Sequence, residues 1–443
     1  MSTVPARRGA VLDAATLRRI EARRRRRKVQ VRRRRIVLLA VVALLAFAGS
    51  ALAGGGSPSA PGYAVRRSVP APRVFSRLDA RIVVPGHRPP LPWPKTGEGA
   101  VAVLGSGLVA RSPDEREVPI ASVTKMMTAL VVLADHPLSL GEGGPNLRVT
   151  RADAALWVAD SQIGDSTLPV RAGEVLSEYQ LLEGLLVPSG DNVATMLARW
   201  DAGSEPRFVG RMNAVARTLG LAHTHYADAS GVSPGSRSTA ADQAVLAALL
   251  MENPVVRRIV AISSTPFPVA GTIVNYNPAL GTDGIVGVKS GFTAQAAACL
   301  VTAAYRDVAG RSVLVVEVAL GQPGGLAGAA SADERLLAAV TGSLVSVRLA
   351  HPGSPVATAE PGWSAARVSL ASPGLPSELV SWPGTVLDLR VEPLATSVVA
   401  PGPRGETLGS VVVRSSGGLD LRTPLVTSST LPPVPAGWSP ASG

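Results

Sequence analysis

A single cysteine stands among 443 residues, and one thiol cannot build an internal disulfide framework. Cys299 lies in the apolar run AAACLVTAAY and is predicted to be a buried core residue. Stability therefore has to come from packing. Net charge is the second shortage. The chain carries 44 Lys plus Arg against 32 Asp plus Glu, but residues 1–35 hold 14 of the bases and 2 of the acids, leaving 30 of each for the rest. The body is neutral, which removes the usual step from a basic balance to a nucleic-acid partner. A dinucleotide site is missing too. Gly105, Gly107 and Ala110 have its spacing, yet RSPDEREVP follows with Pro113, Pro119 and clustered charge where that site needs a helix, so no cofactor is implied. A hairpin turned at Gly105 to Gly107 is predicted instead, and no metal site is implied either. Lys95-Thr96-Gly97 has no strand signal around it and reads as part of a Pro-rich loop.

What is present begins with Arg32 to Arg35, followed by the 18 uncharged residues Ile36 to Ala53. At 1.5 Å per residue such a helix spans about 27 Å, close to the thickness of a bilayer's hydrocarbon core. A basic flank ahead of an apolar span predicts a cytoplasmic amino terminus, with everything after the span outside. The Arg run then serves topology and contact with anionic lipid rather than nucleic acid. Ala51-Leu52-Ala53 before Gly54 also fits a signal-peptidase site, so a cleaved leader and a secreted protein is the second possibility. The expected divisions start with a basic cytoplasmic segment, 1–35, and a signal-anchor or signal peptide, 36–53. A stalk rich in Pro, Gly and Ser follows at 54–83.

The organising stretch is ASVTKMMTALVVL, residues 121–133. Met126, Met127, Leu130, Val131 and Leu133 recur at helical spacing and predict a buried helix. Ser122 and Lys125 stand three apart at its start, on one face, which places a hydroxyl beside an amine. Unpaired N–H groups of a first helical turn could also hold an oxyanion. Farther on, SEYQLLEGLLVPSGDNVATMLARW reads as helix, turn, helix, with the turn at Pro188-Ser189-Gly190 presenting Ser189 and Asp191. Residues 149–175 look irregular. Helices are expected over Phe208 to Leu219, from near Thr239, and over Ala327 to Val340. GVSPG at 231–235 has the nucleophile-elbow pattern, but Pro234 lacks the N–H that such an elbow uses, so it reads as a turn. Gly284 to Val288 leads as a strand into Lys289-Ser290-Gly291, a cation and a hydroxyl beside a glycine that permits close backbone approach. Ala296 to Tyr305 and Ser312 to Gly321 read as adjacent buried strands of an antiparallel sheet.

Ser122-x-x-Lys125, Ser189-x-Asp191 and Lys289-Ser290-Gly291, in that order and 67 and 100 residues apart, resemble the D-alanyl-D-alanine carboxypeptidases of peptidase family S11, the low-molecular-mass penicillin-binding proteins. PIASVTKMMTAL, LLEGLLVPSGDN, ADASGVSPGSRSTAADQ and NYNPALGTDGIVGVKSGFT resemble the family as well, and the likeness runs from about Leu91 to Val340. It implies an α+β, β-lactamase/transpeptidase-like fold: an antiparallel sheet flanked by helices with a helical lobe, here a serine D,D-peptidase domain over 84–350. It further implies a Ser122 acyl-enzyme, Lys125 as base and Ser189 as proton relay. Lys289, Ser290, Gly291, Phe292 and Thr293 would meet the substrate, with the N–H groups of Ser122 and Phe292 as the oxyanion hole. The base role needs a neutral amine, which burial and the second cation Lys289 would favour. The implied substrate is a peptidoglycan stem peptide ending in D-Ala-D-Ala, with β-lactams as acylating inhibitors, and the implied role is cell-wall synthesis and cell shape.

Where the family has Asn, this chain has Asp191, with Asn192 one place later. A carboxylate cannot donate to the substrate carbonyl and would hold Lys125 protonated, so the sequence predicts a slow or specialised enzyme unless a one-residue slip brings Asn192 into place. The competing readings are a catalytically impaired scaffold, a β-lactamase, and an exported D-aminopeptidase or D,D-endopeptidase. From 361 to 426 short Val and Leu runs separated by Pro-Gly turns predict a small all-β domain, and 427–443 reads as a disordered tail.

Overall fold

The computed structural model describes residues 66–440 apart from Pro89, Gly105, Gly107, Ala395, Thr396, Gly417 and Gly418. The basic segment, the apolar span, the stalk up to residue 65, and the glycines of the expected 105–107 turn lie outside the described residues. Among the described residues, no helix is long and apolar enough to cross a membrane.

The structure is α+β. Five antiparallel strands form the central sheet in the order Ile285–Thr293, Ala297–Val308, Arg311–Gln322, Glu98–Val103, Leu108–Arg111. Alternation along Ala297–Val308 shows why it sits there: Cys299, Val301 and Ala303 join one core, while Ala298, Leu300 and Ala304 join another. Side chains with a period of two face opposite sides of a sheet, and here both sides are covered. The helix Gly325–Thr341 packs on one face through Leu336, Leu337 and Val340. The other face carries the helix Ala240–Leu250 and a helical lobe, where the cores of Lys125–Asp135, Glu178–Leu186, Asp191–Ala202 and Glu205–Thr218 merge. Lys125–Asp135 is buried nearly all round, with Met126, Met127, Ala129 and Val132 wholly inaccessible; a helix apolar on every face belongs in an interior. Each such large side chain contributes about 1.5–3 kcal/mol by leaving water. Cys299 is buried in that core, and burial pushes its thiol up to about 12.

The region expected to be irregular, 149–175, holds the helix Arg151–Gln162. Thr150 accepts from the Asp153 N–H while Asp153 accepts from the Thr150 N–H, a reciprocal cap that satisfies two orphan donors. The helix buries Asp153 alone, so apolar spacing could not reveal it.

The C-terminal domain is a seven-stranded sheet, and it recruits more of the chain than 361–426. Its order is Arg73–Ser76, Ala357–Glu360, Val368–Ala371, Asp420–Thr427, Thr407–Ser415, Val386–Pro393, Arg81–Val83. Arg67–Pro70 also pairs with Ser397–Ala400. Residues 67–83, expected in the stalk, thus supply three strands, two of them the sheet's edges. Strands of three or four residues carry too little pattern to be read one by one. The tail beyond 427 is ordered as well: Leu431 is buried in the domain core, and Trp438 meets Trp363 edge-on at 6.1 Å and donates to Gly362 O. Trp382 reaches out of this domain into the core beneath the helix Gly325–Thr341, with the Arg88 guanidinium 4.6 Å above its ring.

Candidate active site

The chain turns sharply into Ser122. Ala121 has φ +46°, and Ala121–Thr124 forms a 3₁₀ turn that runs into the helix at Lys125. In such a turn residues three apart eclipse, and Lys125 Nζ lies 2.8 Å from Ser122 Oγ. Lys125 is fully buried. Its other two contacts are Asp191 Oδ1 at 2.5 Å and Ser230 O at 2.9 Å.

Asp191 opens the helix Asp191–Ala202 directly after the Pro188-Ser189-Gly190 turn, where the helix N-terminus favours a carboxylate. It is 6 % exposed and its N–H donates to Ser166 O at 2.7 Å. Burial raises its pKa above the usual carboxylate value; the Lys125 charge and hydrogen bond pull the other way, Asp165 adds to the rise and Lys289 opposes it. Ser189 sits at φ +63°, and its buried hydroxyl has no partner among the described residues. A strained turn that holds an unsatisfied hydroxyl is the kind of feature that gathers at functional sites.

Asn192 is turned away. Its Oδ1 accepts from Leu168 N and its Nδ2 donates to Leu168 O, both at 2.9 Å, so the amide is spent on pinning the loop before the turn. The slip that would exchange Asn192 for Asp191 does not occur, and the structure corrects the assignment of Asn192 to substrate. The reason is helical geometry: consecutive residues point about 100° apart.

The third piece lies along the sheet's edge strand. A Cβ on Gly291 would stand 2.8 Å from Ser122 N, so only glycine lets this strand run against the Ser122 backbone. Lys289 is buried, donating to Ser290 O at 2.8 Å. Burial first, then the Lys125 charge, pushes its pKa well below the lysine value, with Asp191 opposing. Ser290 is buried beside it and Phe292 is 62 % exposed. Thr293 Oγ1 accepts from Ala296 N at 3.1 Å and holds the turn to the next strand.

Sequence reasoning took 231–235 as a turn but missed that the loop at 228–236 reaches Lys125. Ser230 O binds Lys125, Ala229 O accepts from Thr128 Oγ1 at 2.6 Å, and at Gly231, φ +88°, a Cβ would fall 1.9 Å from Ala121 O. Asp228 stiffens this loop by accepting from Ser230 Oγ, Gly231 N, Ser233 N and Ser236 Oγ. An Asp three places before a Gly in a Ser-rich run was the available signal. Lys95-Thr96-Gly97 packs elsewhere, with Thr96 O accepting from Gln322 Nε2. Among the described residues, no cluster of His, Cys, Asp or Glu is placed to hold a metal.

The arrangement is a buried lysine bonded to an accessible serine, beside a second buried lysine on a strand edge. The family model described as D-alanyl-D-alanine carboxypeptidase matches residues 104–322. The D-alanyl-D-alanine carboxypeptidase DacB2 of Mycobacterium tuberculosis is 35 % identical over 241 residues, 53 % of this chain and 78 % of the relative. That of Streptomyces sp. strain K15 is 31 % identical, over 47 % of this chain and 75 % of its own. The structure of penicillin binding protein 5 from Haemophilus influenzae shares the fold at 20 % identity, with a TM-score of 0.59, covering 78 % of this chain and all of that one. By its share of sequence with these relatives, the chain belongs to peptidase family S11, the D-alanyl-D-alanine carboxypeptidases.

Proposed function

We propose that the protein is a membrane-tethered, extracytoplasmic serine D,D-carboxypeptidase that trims peptidoglycan stem peptides and is acylated by penicillin. The observation that carries this reading is the 2.8 Å contact between the buried Lys125 Nζ and Ser122 Oγ. Ser122 Oγ attacks the carbonyl of the penultimate D-Ala, and its proton passes to Lys125. The N–H groups of Ser122 and Phe292 receive the oxyanion. Lys289 and Ser290 meet the terminal carboxylate, and Ser189, whose hydroxyl is otherwise unused, hands a proton to the leaving D-Ala. Water then frees the acyl-enzyme, and a β-lactam follows the same path as far as a slowly hydrolysed adduct. Tethering rests on Arg32 to Arg35 and the apolar stretch Ile36 to Ala53.

The Lys125–Asp191 ion pair favours one second reading, a scaffold that keeps the site but does not turn over. Labelled penicillin separates the two. Covalent label that Ser122→Ala abolishes, followed by D-Ala release from a pentapeptide, is the expected result. A folded protein that never takes label would leave the scaffold.

A further inference from the structure

We propose that the catalytic base is the Lys125–Asp191 pair acting as one unit, with Asp191 holding the proton that Lys125 must lose before it can accept another. The inference deepens the acyl-enzyme reading and rests on it. Lys125 Nζ has three contacts, to Ser122 Oγ, Asp191 Oδ1 and Ser230 O. Asp191 Oδ1 and Ser230 O can only accept, whereas the Ser122 hydroxyl can accept or donate; beside an ionised Asp191 carboxylate the relay starts from a Lys125 ammonium that donates to all three. A group donating to Ser122 cannot at the same moment deprotonate it.

The shortest of the three contacts, 2.5 Å, is the one to a titratable acceptor. Moving a proton along it turns a buried ion pair into a neutral amine and a neutral acid, which a dry interior tolerates better than separated charges. Ser122 can then give its proton to Lys125 as Oγ bonds to the carbonyl carbon. When the C–N bond breaks, that proton leaves through Ser189 to the departing amine, and Asp191 returns its own to Lys125. Protons balance without any exchange with solvent.

The groups facing the pair are few. Lys289 on the edge strand lowers the pKa of Asp191, Asp165 in the preceding loop raises it, and Asp160 on the helix Arg151–Gln162 also feels the Asp191 charge. Asp228 is saturated by its own loop, and Glu205 accepts from Ala229 N.

An internally shared proton makes the rate independent of pH until the pair takes up one more. The test is the second-order rate of acylation by fluorescent penicillin from pH 5 to 9, for the full chain and for Asp191→Asn and Asp191→Glu. The parent is expected to change by less than about threefold between pH 6 and 8, with its acid limb set by the carboxyl group. In Asp191→Asn no carboxylate is left to take the proton from Lys125, so acylation has to wait for an amine that has already lost its proton to solvent, and the rate falls with acidity by about tenfold per unit. That variant should therefore drop at least about tenfold below the parent at pH 6, while Asp191→Glu keeps the flat profile. Lys289 is common to all three, so it cancels in their ratios. A parent rate climbing about tenfold per unit through neutrality, or an Asp191→Asn protein faster than the parent at pH 6, would overturn the relay and make Asp191 a brake. The parent's own profile decides even if a variant folds poorly. No label on any of the three at any pH would refute the acyl-enzyme reading itself, and the relay with it.

Discussion

Two pairs of ionisable side chains are buried on opposite sides of the central sheet, and the fold treats them in opposite ways. On the helical-lobe side Lys125 and Asp191 have unlike charges and touch directly. On the other side Glu317, from the strand Arg311–Gln322, and Asp333, from the helix Gly325–Thr341, are both acids. They share only the Thr302 hydroxyl, 3.2 Å from an oxygen of each. Burial pushes Glu317 to about 8 and Asp333 well above the carboxylate range, the latter raised further by Glu317. Burial and mutual repulsion push the two acids toward the neutral form, whereas the unlike pair sets an amine directly against a carboxyl group, the contact along which the proposed relay moves its proton. Interior position alone does not decide what a titratable group does; its partner does.

Breaking the unlike pair should have the largest effect. Lys125→Met removes the base, and acylation should fall by about 10²–10⁴-fold, measured with the same labelled penicillin. Asp191 then loses the cation that opposed its rise and should stay protonated, so the variant's stability should be greater on the acid side than at neutral pH.

Removing the charge option from the like pair sharpens the contrast. With folded-state pKa values raised, the native protein holds protons that the unfolded chain has already released above about 4.5. Their stabilising contribution is whole below that pH and disappears as pH rises through about 8. Glu317→Gln with Asp333→Asn should flatten this slope, about 1.4 kcal/mol per pH unit for each group within the window, and leave acylation intact. Thermal melting against pH reads it; a parent whose melting temperature rises from pH 5 to 8 would refute the neutral-acid account.

A third comparison lies within one helical turn, between Asp191 and its neighbour. Asn192→Ala leaves the N–H and C=O of Leu168 unpaired in the interior and should cost about 2–3 kcal/mol in denaturant unfolding. Its penicillin acylation at a temperature where it is folded should stay within a few-fold of the parent. Last, Trp438→Ala should lower the melting temperature by only about 2–4 °C, since the ring is partly exposed and adds one edge-on contact and one hydrogen bond.

Much of the site was legible because its chemistry lives in side chains at fixed spacing. Ser122 and Lys125 announced themselves through three-residue separation on a buried helix, and Lys289-Ser290-Gly291 through a strand pattern. The third ligand of Lys125 was not legible, since Ser230 acts through its carbonyl and every residue has one. Nor could order alone say whether Asp191 or Asn192 faces Lys125; that required the start of the helix to be fixed at Asp191. In the fold, long apolar strands and helices were readable by period. The helix Arg151–Gln162, held by its cap, and the short strands between 67 and 83, held by partners about three hundred residues away, carry no period to read.

Those partners have a consequence for how the protein is made. Arg77 Nε donates to Thr358 Oγ1 across a sequence separation of 281, so the peptidase domain is an insertion within the C-terminal sheet. Joining such distant strands on an unstructured chain is entropically costly and slow. If the inserted domain folds first, the loop to be closed shrinks to the gap between that domain's own two ends. Assembly is then ordered by connectivity: the residues made earliest must wait, unpaired, until those made last arrive to seat them.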